Sequence, residues 1–387
     1  MSGKDLFEQI VKYYEAAWGP ILHHEEFKGG LKETLSEEEA EFFFLLPEGG
    51  ATFDEISSLV AKHGISLDHF EDMMKHMGTE GMIWATPEEG GQIYERNTLL
   101  GILEIQMRKA EPTRLHNIAS RVLDAMIDGQ VHLPTKTPIY RVIPVESTLP
   151  SLDQTIDLNA SVPDTRTPIP ADIVSKMVRS EKYIAKSSCI CRLSRQQAGK
   201  GCDAHAPIEV CLGFGKFALA LANSGTAKLI DADEAIKIIR ECSELGLVTT
   251  ISNIQPGGGM DFVCNCCNCC CLNLNSMQLG ITNIAGPSRY VVELDQGQCN
   301  LCEVCIDVCS SDALALVDIE IELDVAKCIG CGLCAARCPT DALRMVLRAE
   351  QPYIPATNAE LKQRFVEETR DANMGESIGT RSAFFSA

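Results

Sequence analysis

Long apolar runs are missing from this chain. Across its 387 residues, none approaches the ~20 apolar residues of a spanning helix. Residues 1–18 mix Lys4, Asp5, Glu8, Lys12 and Glu15 with apolar positions. That pattern predicts an amphipathic helix and lacks a secretory h-region. A basic surplus is missing too, because 34 Lys and Arg face 54 Asp and Glu, a net charge of −20. Such a chain repels nucleic acid and anionic lipid, so neither is an expected partner. It suits a basic patch on a protein partner instead. Cysteine is absent from residues 1–188, yet the chain has 19. The odd number argues against a complete disulfide set. Clustered cysteines in a reducing compartment are more often metal ligands, and a cytoplasmic location is expected. No nucleophile–base arrangement and no flavin motif is visible.

The first region, residues 1–130, is expected to be a helical docking domain. Ser36 caps an acidic first turn before Ala40, Phe42 and Phe43. A second helix runs from Thr52 to His63, and Ser66 caps a third with Phe70, Met73, Met74 and Met77 inward. Met82–Ala85 and Gln92–Tyr94 read as strands about a Pro87–Gly91 turn. Three helices and a hairpin resemble a winged helix. The third helix carries Asp68, Glu71 and Asp72 against Lys75, where a DNA reader presents cations. Docking or packing is therefore the expected role. Helices are expected over Thr98–Arg108 and Thr113–Asp128.

Residues 131–170 hold seven prolines and read as a linker with one short extended stretch near Tyr140–Val145. Residues 171–290 form a cysteine-rich α/β middle domain, with helices over Asp172–Ala185 and Asp231–Leu245. Residues 291–348 form the next domain and 349–387 a tail. The tail ends in Phe384-Phe385, which suggests a docking peptide or disorder. The expected class is α+β throughout.

The sharpest motif lies in residues 299–338. Cys299, Cys302, Cys305 and Cys309 are spaced C-x2-C-x2-C-x3-C, and Cys328, Cys331, Cys334 and Cys338 repeat it 29 residues on. Asp312-Ala313-Leu314 recurs as Asp341-Ala342-Leu343, so an internal duplication is expected. Three closely spaced thiolates bind one cubane, and the fourth, set off by x3, reaches the other. This assigns Cys299, Cys302, Cys305 and Cys338 to one [4Fe-4S] cluster and Cys328, Cys331, Cys334 and Cys309 to a second. Zinc is the alternative occupant. The run resembles the bacterial dicluster ferredoxins, which implies low-potential one-electron transfer. One departure is Ser310 after Cys309, where the family has proline, as Cys338 has in Pro339.

Ten further cysteines are candidate ligands: Cys189, Cys191, Cys202, Cys211, Cys264, Cys266, Cys267, Cys269, Cys270 and Cys271. Six of them fall within eight residues, and neighbouring side chains point apart, so one metal cannot collect them all. One or two further [4Fe-4S] clusters are expected, or zinc. The tract is similar to iron–sulfur proteins of anaerobes. Seven cations between Lys176 and Lys200 face only Glu181, and cations beside an anionic cluster raise its potential. A phosphate-bearing substrate site or a solvated helix face is the alternative. Cys242 reads as core. Gly213-x-Gly215-x-x-Ala218 lacks a clear preceding strand, so a dinucleotide site is not expected.

The sequence thus points to an electron-transfer subunit or partner of an anaerobic oxidoreductase complex. Its expected partner is a redox protein or a catalytic subunit. A reductase with a reactive cluster in the middle domain is the alternative, and a DNA-binding redox sensor is a third.

Overall fold

In the computed structural model, the helices that follow Ser36 and Ser66 start where those predicted caps place them. Thr52, Thr98 and Thr113, expected as first helical residues, are caps as well. The structure describes residues 5–18, 21, 23–63, 65–88, 91–130, 135–149, 172–281 and 283–376. Ser36 and Thr52 each form a capping box, with Glu39 and Glu55, at helices Glu37–Leu45 and Phe53–Ala61. Ser66, Thr98 and Thr113 accept from the backbone three residues on and start Leu67–Thr79, Leu99–Met107 and Arg114–Ile127. The expected elements of residues 1–130 are therefore present, preceded by helices Leu6–Trp18 and His24–Thr34.

The chain divides into two units. The first comprises Met1–Thr135, Lys182–Asp231 and Gln363–Ala387. Its helices enclose a core that includes Ile10, Phe42, Phe43, Ile56, Phe70 and Met77. Strands Ile83–Glu88 and Gly91–Arg96 form a hairpin, and Ala51–Thr52 pairs onto the second strand. The first strand outruns the predicted turn, because Pro87 is paired with Gln92. It lies at the sheet edge, where proline's missing N–H breaks no ladder bond.

A second, antiparallel sheet of this unit centres on Ile184–Ser187, flanked by Cys211–Phe214 and Ala227–Ile230. The helix expected over Asp172–Ala185 is thus cut short at Val174–Arg179, because the apolar end pairs as a strand. A strand also precedes the glycine motif, contrary to expectation: Cys211–Phe214 leads directly into helix Gly215–Asn223. Its neighbour Ile184–Ser187 runs antiparallel, unlike the parallel unit that cradles a dinucleotide.

The second unit comprises Lys136–Glu181 and Ala232–Lys362. Strand Tyr140–Val142 pairs with Val248–Ser252, which pairs with Phe262–Cys266. Helix Ala232–Glu244 precedes the last two of these strands and buries Cys242. The segment Tyr290–Leu347 is built twice. Strand Tyr290–Leu294, helix Val304–Asp307 and strand Leu314–Val317 recur as Glu320–Leu323, Leu333–Arg337 and Leu343–Leu347. Pairing is exchanged between the halves. Tyr290–Leu294 runs beside Leu343–Leu347, and Leu314–Val317 beside Glu320–Leu323.

The predicted tail contains a helix, Asn358–Glu376. Thr357 Oγ1 accepts from Glu360 N–H at its start. The Phe384-Phe385 docking peptide lies outside the described residues.

Candidate metal centres

Each C-x2-C-x2-C loop is followed by one helical turn, and each needs left-handed backbone to reach it. Leu301, Glu303 and Asp312 have φ of 57°, 61° and 50°. Their counterparts 29 residues on, Gly330, Gly332 and Asp341, have 70°, 76° and 53°. The second loop is the more enclosed. Ser288 Oγ donates to Gly330 O at 2.6 Å and Val145 N–H to Cys331 O at 2.9 Å. A Cβ on Gly330 would lie 2.0 Å from Tyr290 O, so glycine is required for space as well as for φ.

Cys309, Cys328, Cys331 and Cys334 line one cavity, with Val292, Leu314, Ile329 and Met345 among its apolar walls. Four cysteines around one mostly apolar cavity fit a thiolate-ligated cluster. Burial, then the neighbouring Cys309 and Cys328, pushes the Cys331 thiol up to about 12. Burial, then Cys331, Cys328 and Cys309, pushes Cys334 up too. Such thiols resist ionising alone and need a cation to hold them as thiolates.

In the first loop, burial and then Cys299 and Cys302 raise Cys305. Cys302 is exposed, and Leu301 and Val304 beside it are 38% and 37% exposed. Cys338 behaves differently. Burial raises it, but donors from Thr340 and the N–H groups of Ala342 and Leu343 outweigh that and leave it below its ordinary value. Thr340 Oγ1 lies 3.6 Å from its sulfur. The duplication repeats this cradle at Cys309. There Ser311 Oγ lies at 3.7 Å and Ala313 N–H donates at 3.3 Å.

Residues 321–344 match the family described as a 4Fe-4S binding domain. The C-terminal part of the chain is a ferredoxin-like iron–sulfur module. It serves 4Fe-4S binding and electron transfer, and the matched segment contains Cys328, Cys331, Cys334 and Cys338. A comparison with curated proteins finds no match. Among the described residues no helix is long and apolar enough to cross a membrane.

The other ten candidates fall in both units. In the first, Cys189 precedes helix Ile190–Gln197, which carries Cys191, and Cys211 opens a strand paired with Ser187. Hydrogen bonding to Cys191, then burial, holds the Cys189 thiol well above its ordinary range, and Cys211 adds to this. Cys202 lies in the following loop, where His205 N–H donates to its carbonyl at 3.0 Å. Most of the cations noted in the sequence serve carboxylates. Arg195 and Lys200 both bind Asp124 and Asp128, and Arg179 binds Asp233.

Sequence reasoning missed Arg108. Its side chain is fully buried, and it donates to Cys211 Sγ at 3.3 Å and to Ser188 O at 3.0 Å. A third branch pairs with Glu104. Nothing in the sequence signals this, because the residue caps a helix about a hundred positions before the sulfur it touches.

In the second unit the cysteine run splits. The sulfurs of Cys267, Cys269 and Cys270 lie within 4.8 Å of one another, a spread that one metal centre can span. Cys266 and Cys271 instead point into the core beside Leu274, Val248 and Leu333, with Cys264 packed against it.

Proposed function

We propose that this protein relays single low-potential electrons as a subunit or partner of an oxidoreductase complex. One observation carries the reading. Cys309, from the first half, lines the same cavity as Cys328, Cys331 and Cys334 from the second. By the duplication, Cys338 completes the set of Cys299, Cys302 and Cys305. When bound, 4Fe-4S clusters supply one-electron chemistry.

The chain's residues divide the labour. The second loop is held by Ser288 and Val145 and buries Cys334. The exposed first loop offers Cys302 to a partner, edged by apolar Leu301 and Val304. Asp295, Glu303, Asp307 and Asp312 are exposed around it in the sequence and favour a basic docking patch. The winged-helix-like arrangement of residues 36–96, with its acidic third helix, suits protein docking. A further centre on Cys267, Cys269 and Cys270, and another near Cys189, Cys191 and Cys211, would extend the relay or form a reactive site.

The crossed assignment is tested by single substitutions read by electron paramagnetic resonance after dithionite reduction. Cys309→Ala is expected to alter the same signal as Cys331→Ala, and Cys338→Ala the same signal as Cys302→Ala. Cys309→Ala tracking with Cys302→Ala would refute the crossing. Turnover of a substrate by the isolated chain would favour the reductase alternative.

A further inference from the structure

We infer that Cys266 and Cys271 are not metal ligands but a redox-active dithiol that closes to a disulfide inside the second unit. Their sulfurs lie 2.8 Å apart. Two sulfurs bound to one tetrahedral ion at about 2.3 Å would stand about 3.8 Å apart. As placed, the pair stands about 1 Å closer than two ligands of one ion would. A disulfide bond of about 2.05 Å needs less than about 1 Å of further approach.

Local structure explains the closeness. Cys266 ends the strand Phe262–Cys266, and Cys271 precedes the helix Leu272–Gln278. The intervening turn is closed by Cys271 N–H donating to Cys267 O at 3.1 Å. That bond carries Cys271 back over Cys266 while Cys267, Cys269 and Cys270 gather elsewhere. Both members of the pair are buried, at 2% and 6% exposure, so a bulky external thiol cannot reach them. Asn273 Nδ2 donates to Thr250 Oγ1 at 2.8 Å, and that hydroxyl is hydrogen-bonded to Cys266 Sγ at 3.5 Å. Thr250 is thereby a positioning residue for the sulfur and a route for its proton.

The step balances simply. Oxidation breaks two S–H bonds, forms one S–S bond, releases two protons and passes two electrons, one at a time, to a one-electron acceptor of higher potential. Reduction takes two electrons, one at a time, from a low-potential one-electron donor, and returns a proton to each sulfur. The inference rests on the electron-transfer reading, because the pair shares one core with the cysteines of the ferredoxin-like module. It gives the protein a place to convert single electrons into a two-electron store.

The test uses the full chain, purified without oxygen. The protein is oxidised with ferricyanide, quenched in acid, alkylated with a thiol reagent in neutral denaturant, and digested. The peptide spanning Cys264–Cys271 is expected to carry two labels fewer after oxidation and to regain both after dithionite. Cys266→Ser and Cys271→Ser are expected to keep the wild-type iron content and to abolish that two-label loss. Full labelling of the oxidised wild-type peptide would overturn the inference, as would loss of iron in Cys266→Ser. The wild-type labelling needs no variant to fold. It is also read separately from the resonance signals of the module, so a failure of one reading is distinguishable from a failure of the other.

Discussion

Leu301 and Gly330 occupy equivalent points of the two cysteine loops and share a left-handed backbone, with φ of 57° and 70°. The glycine adopts it freely, and the leucine is strained. The two sites therefore answer oppositely to substitution. Gly330→Ala would drive a Cβ against Tyr290 O and Ser288 Oγ, and is expected to cost more than about 2 kcal/mol with loss of iron. Leu301→Gly relieves strain and is expected to change stability by no more than about 1 kcal/mol. Thermal unfolding and iron content of both variants check this.

Iron-free chain should weaken in alkali. Cys331 is raised from the ordinary thiol value of 9.0 to about 12 by burial first. A raised group contributes stability that is fully present below the unfolded value and lost as pH rises through the folded one. The window is thus pH 9 to about 12. Denaturant unfolding of apoprotein across that range is expected to show falling stability. Cys331→Ala apoprotein should show a smaller fall.

Thr340 acts on one sulfur. Thr340→Val removes a donor to Cys338, whose value is lowered by that hydroxyl and neighbouring N–H groups against the effect of burial. A weaker cradle stabilises the added negative charge of the reduced state less. The potential of the centre using Cys338 is expected to fall, while the other stays put. A redox titration with resonance detection separates the two.

The buried ion pair of Arg108 and Glu104 is a stability element with a sulfur attached. Arg108→Leu leaves Glu104 without its buried partner and is expected to cost about 3–5 kcal/mol. Arg108→Leu with Glu104→Gln should recover part of that. Chemical denaturation of the two variants decides the matter.

Much of this was legible in the sequence because the signals were local. Ser36 and Ser66 announce helix starts through their own hydroxyls, and the 29-residue repeat announces two matched halves. What escaped depends on pairing. Ile184 and Ala185 read as the end of a helix until Cys211–Phe214 and Ala227–Ile230 are seen beside them, and Pro87 reads as a turn until its edge position is known. The division of Cys264–Cys271 was also hidden. Spacing says that six thiols cannot share one ion, but only the turn at Cys267 to Cys271 shows which sulfurs approach.

The central claim is that two thiolate-ligated 4Fe-4S clusters sit in the C-terminal module. Iron, acid-labile sulfide and zinc per chain, measured on anaerobically purified protein, test it most directly. The account predicts at least about eight iron and eight sulfide, and about twelve to sixteen if the remaining cysteines also hold clusters. About four iron, or zinc in place of iron at Cys299–Cys338, would contradict it.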